Sequence, residues 1–562
     1  MTVRRSIAEI MYGDQELDVA LFQPPLFKRV FPEDQDEVFN KYLGIVTGQN
    51  AMMNDLGTEP NHGLLQLAAI LREAGASVDV FDFHVVDIML RRDRRIAGPD
   101  DFRGVIEHKQ ASLYGISSKL VGSKRAMQIA QIIKEVHPAA KVVMGGVHPT
   151  FYAPETLALC PEVDVVARGE TDHIIVDLWR WSKGEVDLAD IPGITFRVGD
   201  EIVSTEKSLE QIDLDALPFP AYDLVARETD PLVPRILTAR GCTLRCVFCS
   251  SAALFGYKFN SRQALRVVDQ IERTRDEFGV EFVCLGDLTF MAHKETGVAI
   301  CEEMVRRDLG VRWSTQTTIG RIDADAAELM ARAGCVQIGF GVESGSQLVI
   351  DDSNKTIVAE NTEAQFRTIK AAGMSVQTYW VFGLPGETIE SATTSISMLR
   401  EWIRAELIDA VHITMAVPYP GTPLYENPDA YGISIIDDDF DNYWTSSASL
   451  GIGLPVIESK DLSRSHIYMF WQMAHAVAGD EFAKRIAKLE GSIHYIPRSQ
   501  DEQTPLADVI LPRPERLHRA EHLRVGDKLA TRTLIEIKRS RERLRSGGEL
   551  PASPEPVAGG GS

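Results

Sequence analysis

The stretch Gly241-Cys242-Thr243-Leu244-Arg245-Cys246-Val247-Phe248-Cys249 places three cysteines within eight positions. It directly follows the apolar segment Arg235 to Thr238, which we predict to be a β-strand. Iron–sulfur clusters normally take one thiolate per iron, so a loop that supplies three thiolates leaves one iron open to another ligand. The stretch therefore indicates a reactive iron–sulfur centre.

Strands and helices alternate downstream of this loop. Five further segments read as strands: Phe282 to Gly286, Arg312 to Thr315, Gln337 to Val342, Ser375 to Phe382 and Val411 to Val417. Six strands separated by helices predict a partial (β/α)6 barrel of the TIM type over residues 235–431. The cysteine loop would then lie at the carboxyl end of the first barrel strand, where the active sites of barrels are found.

A structural zinc site is the alternative interpretation of the three cysteines. Structural zinc takes four closed ligands, and no further cysteine or histidine stands close to the loop in sequence. The remaining cysteines lie in apolar surroundings, as small core residues do: Cys160, Cys284, Cys301 and Cys335. The sequence therefore favours the cluster.

The region before the barrel, residues 1–207, also alternates between strands and helices. Five segments read as strands: Asp18 to Phe22, Val78 to Phe83, Ser112 to Ser118, Lys141 to Met144 and Val163 to Ala167. Crossover helices between them predict an α/β, doubly wound, Rossmann-like parallel sheet. Ligands of such sheets bind beyond the carboxyl ends of the strands, where Ser117, Ser118, Gly145, Gly146 and His148 fall.

Three further regions complete the predicted organisation. Residues 208–234 contain aspartates and prolines that break any regular period, so we predict a linker there. Residues 432–545 are predicted to form a mostly helical carboxy-terminal domain. The final stretch, 546–562, is rich in Gly, Pro and Ser and is predicted to be disordered.

Composition limits the partners that the chain can bind. A formal net charge of −22 opposes binding to nucleic acid, which depends on Lys and Arg to neutralise phosphates. No apolar run approaches the roughly 18 residues of a membrane span, and the first ten residues lack the apolar core of a secretory signal. We therefore expect a cytoplasmic protein that binds neither membrane nor nucleic acid and acts on a small-molecule or carrier-bound substrate.

The C-x3-C-x2-C spacing after the first barrel strand resembles the signature of the radical S-adenosylmethionine (SAM) superfamily. In that family the three cysteines, here Cys242, Cys246 and Cys249, hold a [4Fe-4S] cluster. The resemblance implies that the open iron chelates the amino and carboxylate groups of SAM. It also implies that an electron, supplied by a flavodoxin- or ferredoxin-type donor, cleaves SAM to methionine and a 5′-deoxyadenosyl radical.

Motifs at later strand ends support the resemblance. They are Leu285 to Phe290, Gly339 to Ser346 with Lys355 after it, Trp380 to Glu387, and Pro418 to Tyr425. The resemblance assigns cofactor contacts on the SAM side to Phe248, Gly286, Asp287, Glu343, Ser344, Phe382 and Gly383. For Asp287, both a hydrogen bond from the SAM ammonium and a cap on the following helix remain open.

The region before the barrel indicates which branch of the radical SAM superfamily the chain resembles. Gly145-Gly146-Val147-His148 and Arg168-Gly169-Glu170-Thr171-Asp172 resemble the cobalamin-binding domain of cobalamin-dependent radical SAM enzymes. The resemblance implies cobalamin contacts from Ser117, Ser118, Gly145, Gly146, His148, Gly169 and Glu170. Many such domains carry Asp-x-His-x-x-Gly after the first strand, but this chain reads Gln23-Pro24-Pro25-Leu26 there. The lower face of cobalt therefore stays unassigned, with His62, His84 and His148 as nearby candidates.

The family resemblance leads to a functional hypothesis. We expect a methyltransferase that moves a methyl group from SAM through methylcobalamin to an unactivated carbon of a small molecule of the natural-product type. Non-methylating chemistry with the same cofactors, such as oxidative cyclisation or ring contraction, remains open. So do a sheet domain that has lost cobalamin and a sensor without turnover. Methylthio-transfer is disfavoured, because that branch carries three extra amino-terminal cysteines and only Cys160 precedes the loop here.

Overall fold

The structure is a computed structural model that describes residues 4–24, 60–83, 98–120, 122–207, 211–226, 232–357, 359–443 and 454–490. Several predictions fall on residues outside these ranges: the disordered tail 546–562, the part of the helical domain beyond residue 490, and the candidate His84. Within the described ranges, no helix is both long and apolar enough to cross a bilayer.

The first sheet contains the five predicted strands and two more. Its strands are β1 (Gln15–Gln23), β2 (Val78–Asp82), β3 (Lys109–Ser117), β4 (Lys141–Gly145), β5 (Val165–Ala167), β6 (Ile194–Val198) and β7 (Glu201–Ser204). Their order is β2-β1-β3-β4-β5-β6-β7, and the first five are parallel, which is the flavodoxin-like doubly wound arrangement. The unpredicted β6 and β7 form an antiparallel hairpin that extends the sheet beyond β5.

Helices cover both faces of this sheet. They are α1 (Ile7–Tyr12), α2 (His62–Glu73), α3 (Pro99–Glu107), α4 (Ser123–Val136), α5 (Val147–Phe151), α6 (Ala153–Leu159) and α7 (Ile175–Ser182). Val19 and Leu21 of β1 belong to the core that includes α2 and α7, whereas Ala20 and Phe22 belong to the core that includes α3 and α4. Because both faces are buried, the strands are nearly continuous apolar runs.

The second sheet is the predicted partial barrel. The strands of this region are β8 (Arg235–Ile236), β9 (Ala239–Gly241), β10 (Phe259–Ser261), β11 (Phe282–Leu285), β12 (Arg312–Thr317), β13 (Cys335–Glu343), β14 (Ser375–Phe382) and β15 (Ala410–Met415). Six of them pair in parallel in the order β8-β11-β12-β13-β14-β15. The first strand ends at Ile236 and not at Thr238, because the Thr238 N–H donates to Asp287 (2.7 Å). The chain then enters β9, which pairs antiparallel with β10.

Amphipathic helices cover the outside of the barrel. The short helix α8 (Ser250–Leu254) instead follows the cysteine stretch and contacts α5 and β9. The barrel helices are α9 (Ala264–Phe278), α10 (Lys294–Arg307), α11 (Ala324–Arg332), α12 (Gln347–Asp352), α13 (Thr362–Ala371) and α14 (Ile389–Arg404). In α9, for example, Val267, Val268 and Ile271 share one buried face, as helical periodicity dictates.

The segment after the barrel packs against the last barrel strand, β15. It comprises α15 (Pro423–Glu426), β16 (Ile433–Ile435), β17 (Ile457–Ser459) and α16 (Arg464–Glu490), with β16 and β17 paired antiparallel. The indole N–H of Trp471 on α16 donates to Ile413 O of β15 (3.1 Å). Arg404 of α14 forms an ion pair with Glu481 of α16 (2.8 Å). This helix therefore covers the barrel beside β15.

The predicted linker packs on both sheet domains. Gln66 of α2 donates a side-chain hydrogen bond to Pro218 O (2.8 Å). The hydroxyl of Tyr222, which is buried, donates to Arg235 O at the start of the barrel (2.6 Å). Residues 211–226 are thus anchored to the first sheet domain and to the first barrel strand.

Candidate active site

The cysteine loop begins where β9 ends. Gly241, the last residue of β9, has a φ of 81°, and a Cβ at this position would collide with the carbonyl oxygen of Lys258. Glycine is the residue that tolerates both conditions, since it has no Cβ and populates positive φ freely. The chain can therefore turn out of the strand into Cys242, and Cys249 at the other end of the loop is the N-cap residue of α8.

Two segments that lie later in the chain form hydrogen bonds with the backbone of this loop. The Val247 N–H donates to Ser353 O just after α12 (3.1 Å), and Val247 O accepts from the Leu424 N–H of α15 (3.1 Å). The side-chain amide of Asn354 donates to Arg245 O (2.9 Å). Chain segments more than one hundred residues apart thus fix the conformation between the first and the last cysteine.

The three thiols of the loop lie in electrostatic range of one another. Cys246 is buried, whereas Cys242 and Cys249 are half-buried. Burial raises the pKa of the Cys246 thiol to about 12 and also raises the pKa of Cys249, and neighbouring thiols raise both pKa values further. A bound metal centre supplies the positive charge that keeps such buried thiolates deprotonated.

The arrangement differs from that of a single-ion site. Within the described residues, no group of three or more Cys, His, Asp or Glu side chains converges as the ligands of one metal ion do. Structural zinc requires four ligands around one centre. A cluster that takes one thiolate per iron requires only thiols that border the same space. The loop supplies three thiols, and three thiolates fit a cluster that takes one thiolate per iron and leaves one iron open.

A buried ion pair lies at the end of β13, close to the thiols. Glu343 pairs with Lys355, and the two side chains are only 10% and 8% exposed. Glu343 has a φ of 63°, a strained conformation for a non-glycine residue, and the strand register shifts between Gly341 and Glu343. A Cβ on Gly341 would collide with both charged groups, so this glycine makes room for the pair. Lys355 lowers the pKa of Cys246 and Glu343 raises it, which places both charges near the cysteine loop.

Asp287 joins the end of β11 to the segment that leads into the cysteine loop. Its carboxylate accepts hydrogen bonds from the Thr238 N–H (2.7 Å), the Ala239 N–H (3.1 Å) and the Thr238 hydroxyl. Burial raises the pKa of Asp287 to about 6, while these hydrogen bonds oppose the shift. The N-cap of α10 is His293, so Asp287 does not cap the following helix.

The other residues predicted on the SAM side have different surroundings. Gly286 packs against Arg235, whose guanidinium donates to Gly286 O (3.3 Å). Ser344 is fully buried, and its hydroxyl oxygen lies 3.3 Å from that of Ser395 on α14, within the helix layer. The Gly383 N–H donates to Glu387 Oε2 (2.5 Å). The aromatic residues Phe248 and Phe382 pack on the main core. The structure thus assigns internal contacts to all of these residues.

The predicted ligand edge of the first sheet is built mainly from backbone. Ser117 ends β3 and pairs with Gly145, which ends β4. The Ser118 N–H donates to Gly145 O (2.7 Å). Gly146 has a φ of 103°, and a Cβ there would lie 2.5 Å from Ser118 O. The two strand ends therefore meet closely, and the four predicted residues come together at one edge.

The edge continues at the end of β5 and reaches the cysteine loop. The Gly169 N–H donates to Thr150 Oγ1 (2.9 Å). The next residue, Glu170, forms an ion pair with Arg240 (2.9 Å), and Asp172 binds the same guanidinium through both oxygens (2.8 and 2.9 Å). Because Arg240 lies two positions before Cys242, this contact connects the edge of the first sheet with the start of the cysteine loop.

Two family models match the chain in these same regions. The Radical SAM superfamily model matches residues 236–399, and the B12 binding domain model matches residues 52–178. The first match covers the barrel from β8 to α14, and the second covers most of the parallel sheet. The chain belongs to the cobalamin-dependent radical SAM enzymes. Its cofactors are a [4Fe-4S] cluster, SAM and cobalamin, as the two domains together imply.

Curated relatives and solved structures agree with this membership. An uncharacterised methyltransferase of Pyrococcus horikoshii is 28% identical over 384 residues, which are 67% of this chain and 80% of that protein. An anaerobic magnesium-protoporphyrin IX monomethyl ester cyclase of Cereibacter sphaeroides is 29% identical over 385 residues, or 66% of this chain and 60% of that protein. The radical SAM methyltransferase TsrM of Kitasatospora setae, with cobalamin and a [4Fe-4S] cluster bound, superposes with a TM-score of 0.57 at 18% identity over 75% of this chain and 80% of TsrM.

Gln23 stands where the cobalamin motif would begin, and His62 is a candidate for the lower face of cobalt in this radical SAM enzyme. Gln23 is buried and is hydrogen-bonded to Pro24 O (3.0 Å) and to the side chain of Asn61. Burial, together with the Arg240 and Arg235 charges, lowers the pKa of His62 to about 3. His62 is therefore neutral, and its Nδ1 has no hydrogen-bond partner among the described residues.

His148 has two unsatisfied ring nitrogens among the described residues, whereas His62 has one, Nδ1. Burial lowers the pKa of His148 to about 4, and neither ring nitrogen has a hydrogen-bond partner there. The ring stacks on Tyr152 (5.6 Å between centroids) and meets the edge of Phe440 (5.4 Å). An unpaired buried nitrogen costs about 1–3 kcal/mol, so the site fits a ligand that supplies a polar group to this ring.

Arg240 and Glu387 are two functional candidates that the sequence interpretation did not single out. Arg240 is adjacent to the cysteine stretch, and its partners Glu170 and Asp172 lie in the motif that we assigned to cobalamin. The sequence signal that could have identified Arg240 is its place directly before the cluster loop. Glu387 ends the Trp380 to Glu387 motif, yet burial raises the pKa of its carboxyl to about 8. The sequence around Glu387 does not show that its carboxyl is buried, because only the folded chain surrounds it.

Proposed function

We propose that this enzyme transfers a methyl group from SAM, by way of cobalamin, to an unactivated carbon of a small-molecule substrate. The observation that supports this proposal is the contact of Arg240 with Glu170 and Asp172, which joins the cobalamin-binding edge to the start of the cysteine loop. A reaction that needs a radical and a methyl donor at one carbon requires these two edges to face a common space.

Each group of residues has a proposed task. Cys242, Cys246 and Cys249 would hold three irons and leave the fourth for SAM. The predicted SAM-side residues are Phe248, Gly286, Asp287, Glu343, Ser344, Phe382 and Gly383, and the predicted cobalamin-side residues are Ser117, Ser118, Gly145, Gly146, His148, Gly169 and Glu170. When bound, the cofactors supply a carbon-centred radical and a transferable methyl group, and the protein supplies position and a dry site.

Internal hydrogen bonds divide the SAM-side residues by the role that they can take. Ser344 and the Gly383 N–H are already bonded within the protein, so we propose that they support the strand ends. Glu343 and Lys355 together present a charged but mutually neutralised pair next to the thiols. A group with both an amino and a carboxylate function, such as the methionine end of SAM, is matched by such a pair of opposite charges.

A non-methylating reaction is the second candidate, and the similarity to the cyclase of Cereibacter sphaeroides favours it. The cyclase and the methyltransferase relative have almost the same identity to this chain, so similarity alone does not rank them. We favour methyl transfer because the relative from Pyrococcus horikoshii is named a methyltransferase and is matched over 80% of its length, against 60% for the cyclase.

We further propose the cellular setting of the reaction. The net charge of −22 favours a small-molecule or carrier-bound substrate over nucleic acid. A natural product, as in antibiotic biosynthesis, is the proposed substrate class. A flavodoxin- or ferredoxin-type protein in the cytoplasm would supply the electrons.

Methyl-labelled SAM tests the proposal without knowledge of the substrate. The protein is reconstituted anaerobically with iron, sulfide and hydroxocobalamin, reduced, and mixed with SAM that carries a labelled methyl group. Methyl transfer predicts labelled methylcobalamin on the protein. If cobalamin binds and SAM is cleaved to 5′-deoxyadenosine while the label never reaches cobalamin, the non-methylating candidate is correct.

A further inference from the structure

Arg240 occupies an unusual position between the two cofactor regions. It is the middle residue of β9, and the chain reaches Cys242 two residues later. Its guanidinium reaches the loop after β5, where Glu170 and Asp172 accept its hydrogen bonds. A single side chain therefore connects the strand that carries the cluster loop with the loop that follows β5.

The contact is well shielded from water. The side chains of Arg240 and Asp172 are 11% and 8% exposed, and that of Glu170 is 31% exposed. Asp172 binds two guanidinium nitrogens with two oxygens, the planar geometry that fixes direction as well as distance.

The neighbouring titratable group does not compete with this pair. Burial and the Arg240 charge lower the pKa of His62 to about 3, so the imidazole is neutral and leaves both acids to the arginine. A second ion pair connects the same sheet domain with the segment after the barrel. Lys124 on α4 pairs with Asp439 (2.7 Å). Its side chains are 57% and 38% exposed, and an exposed pair of this kind contributes little to geometry or stability. The two pairs thus form a matched comparison.

We propose that Arg240 is a positioning residue that fixes the distance and orientation of the cluster loop relative to the cobalamin-binding edge. The proposal rests on the presence of both cofactors and does not depend on whether a methyl group is transferred. Lysine cannot replace arginine here, because an ammonium group is a point donor and cannot bind both oxygens of Asp172 in one plane.

The test measures the magnetic interaction between the two cofactors, which depends on their separation. The protein is loaded with both cofactors and reduced until the cluster and cob(II)alamin are each paramagnetic, and pulsed electron paramagnetic resonance gives the spread of their separations. The original protein is expected to give one narrow distribution. Arg240→Lys and Asp172→Asn are expected to lose this single distribution and give a broad or shifted one, with unchanged iron and cobalamin content.

Two further variants complete the test. Glu170→Gln is expected to give a smaller change than Asp172→Asn, because Glu170 is the more exposed partner, and Lys124→Gln should leave the distribution unchanged. If Arg240→Lys loses iron, Asp172→Asn decides, since residue 172 lies far from the cysteines in sequence. A distribution in Asp172→Asn that equals that of the original protein overturns the proposal. Absence of cobalamin from the original protein would instead refute its cofactor assignment.

Discussion

The carboxyl ends of the two parallel sheets form two edges of different chemistry. The barrel edge carries three thiols and the buried pair of Glu343 and Lys355, so its side chains determine what it can bind. At the edge of the first sheet, the strand ends at Gly145 and Gly146 bring backbone groups close together. The sequence indicates both edges, but the distance of closest approach between the backbone groups is visible only in the folded structure.

The two edges also differ in how they use charge. At the barrel edge, Asp287, Glu343 and Glu387 are largely buried and hydrogen-bonded within the protein. At the sheet edge, the acids Glu170 and Asp172 bind a cation that belongs to the barrel. The barrel acids are therefore bonded to groups of their own edge, whereas the sheet acids serve the contact between the two edges.

Removal of one thiol is the change with the largest expected effect on this comparison. Cys246→Ala takes away the buried member of the three thiols, and a cluster that has lost one of three protein ligands is not retained. We expect loss of the iron–sulfur absorbance and no detectable 5′-deoxyadenosine. Iron analysis and chromatography of the SAM products are the measurements.

A cysteine outside the loop provides the control for this experiment. Cys301 lies on α10 and is fully buried in the barrel core. Cys301→Ala should keep both the absorbance and SAM cleavage, because the change affects packing only. Formation of 5′-deoxyadenosine by Cys246→Ala would show that this cysteine does not hold the cluster.

The buried carboxyl of Glu387 at the barrel edge should make the free energy of unfolding depend on pH. Its Oε2 accepts from the Gly383 N–H, its Oε1 has no partner among the described residues, and burial raises the pKa to about 8 from 4.5. Between these values the folded state keeps a proton that the unfolded state releases. The contribution of Glu387 to the free energy of unfolding is therefore fully present below about pH 4.5 and is lost as pH rises to about 8, at roughly 1.4 kcal/mol per pH unit.

Glu387→Gln removes this titration while retaining a carbonyl oxygen for the Gly383 N–H. We expect the variant to gain stability relative to the original protein as the pH rises from 5 to 8. Urea unfolding of both proteins at several pH values measures the difference. A difference that stays constant over this range would mean that Glu387 is ionised in the folded protein.

The sequence predicts regular elements better than it predicts internal contacts. All eleven predicted strands are present, because apolar runs of strand length between helical patterns leave little choice of structure. The hairpin of β6 and β7 is missed. The strand β7 has only four residues, all exposed, but β6 alternates the apolar Ile194, Phe196 and Val198 with polar residues, a strand signal that the prediction did not use. The end of the first barrel strand is set by Asp287, a residue about fifty positions away, and no local rule contains such a contact.

The same limit applies to the site residues. The cysteine spacing is local, so it can be read directly from the chain. The role of Ser344 depends on Ser395 of α14, about fifty residues later, whose position is fixed by the packed helix layer. The Gly383 N–H donates to Glu387 four residues later, a contact that depends on the conformation of the loop between them. Arg240 is the clearest case, because its partners are about seventy residues earlier and in the other sheet domain.

Gly146→Ala tests whether cobalamin binding requires the close backbone contact at the sheet edge. Its expected effect is smaller than those of the preceding variants. The substitution meets two obstacles, a φ of 103° and a Cβ that would lie 2.5 Å from Ser118 O. Gly75→Ala is the matched control, because its φ is 93° and no atom lies within 4 Å of the added Cβ. The control should lose about 1–2 kcal/mol, the usual conformational penalty, and should bind cobalamin normally.

The difference between the two variants isolates the contact itself. Gly146→Ala should lose more stability than the control, because Ser118 O must shift in addition to the strained φ. That shift would move Gly145 through the hydrogen bond from the Ser118 N–H, so cobalamin affinity should fall as well. Urea midpoints and cobalamin titrations measure the two effects. Equal losses of stability and unchanged affinity would mean that the cobalamin edge tolerates a side chain, and that its closeness results from packing and is not required for binding.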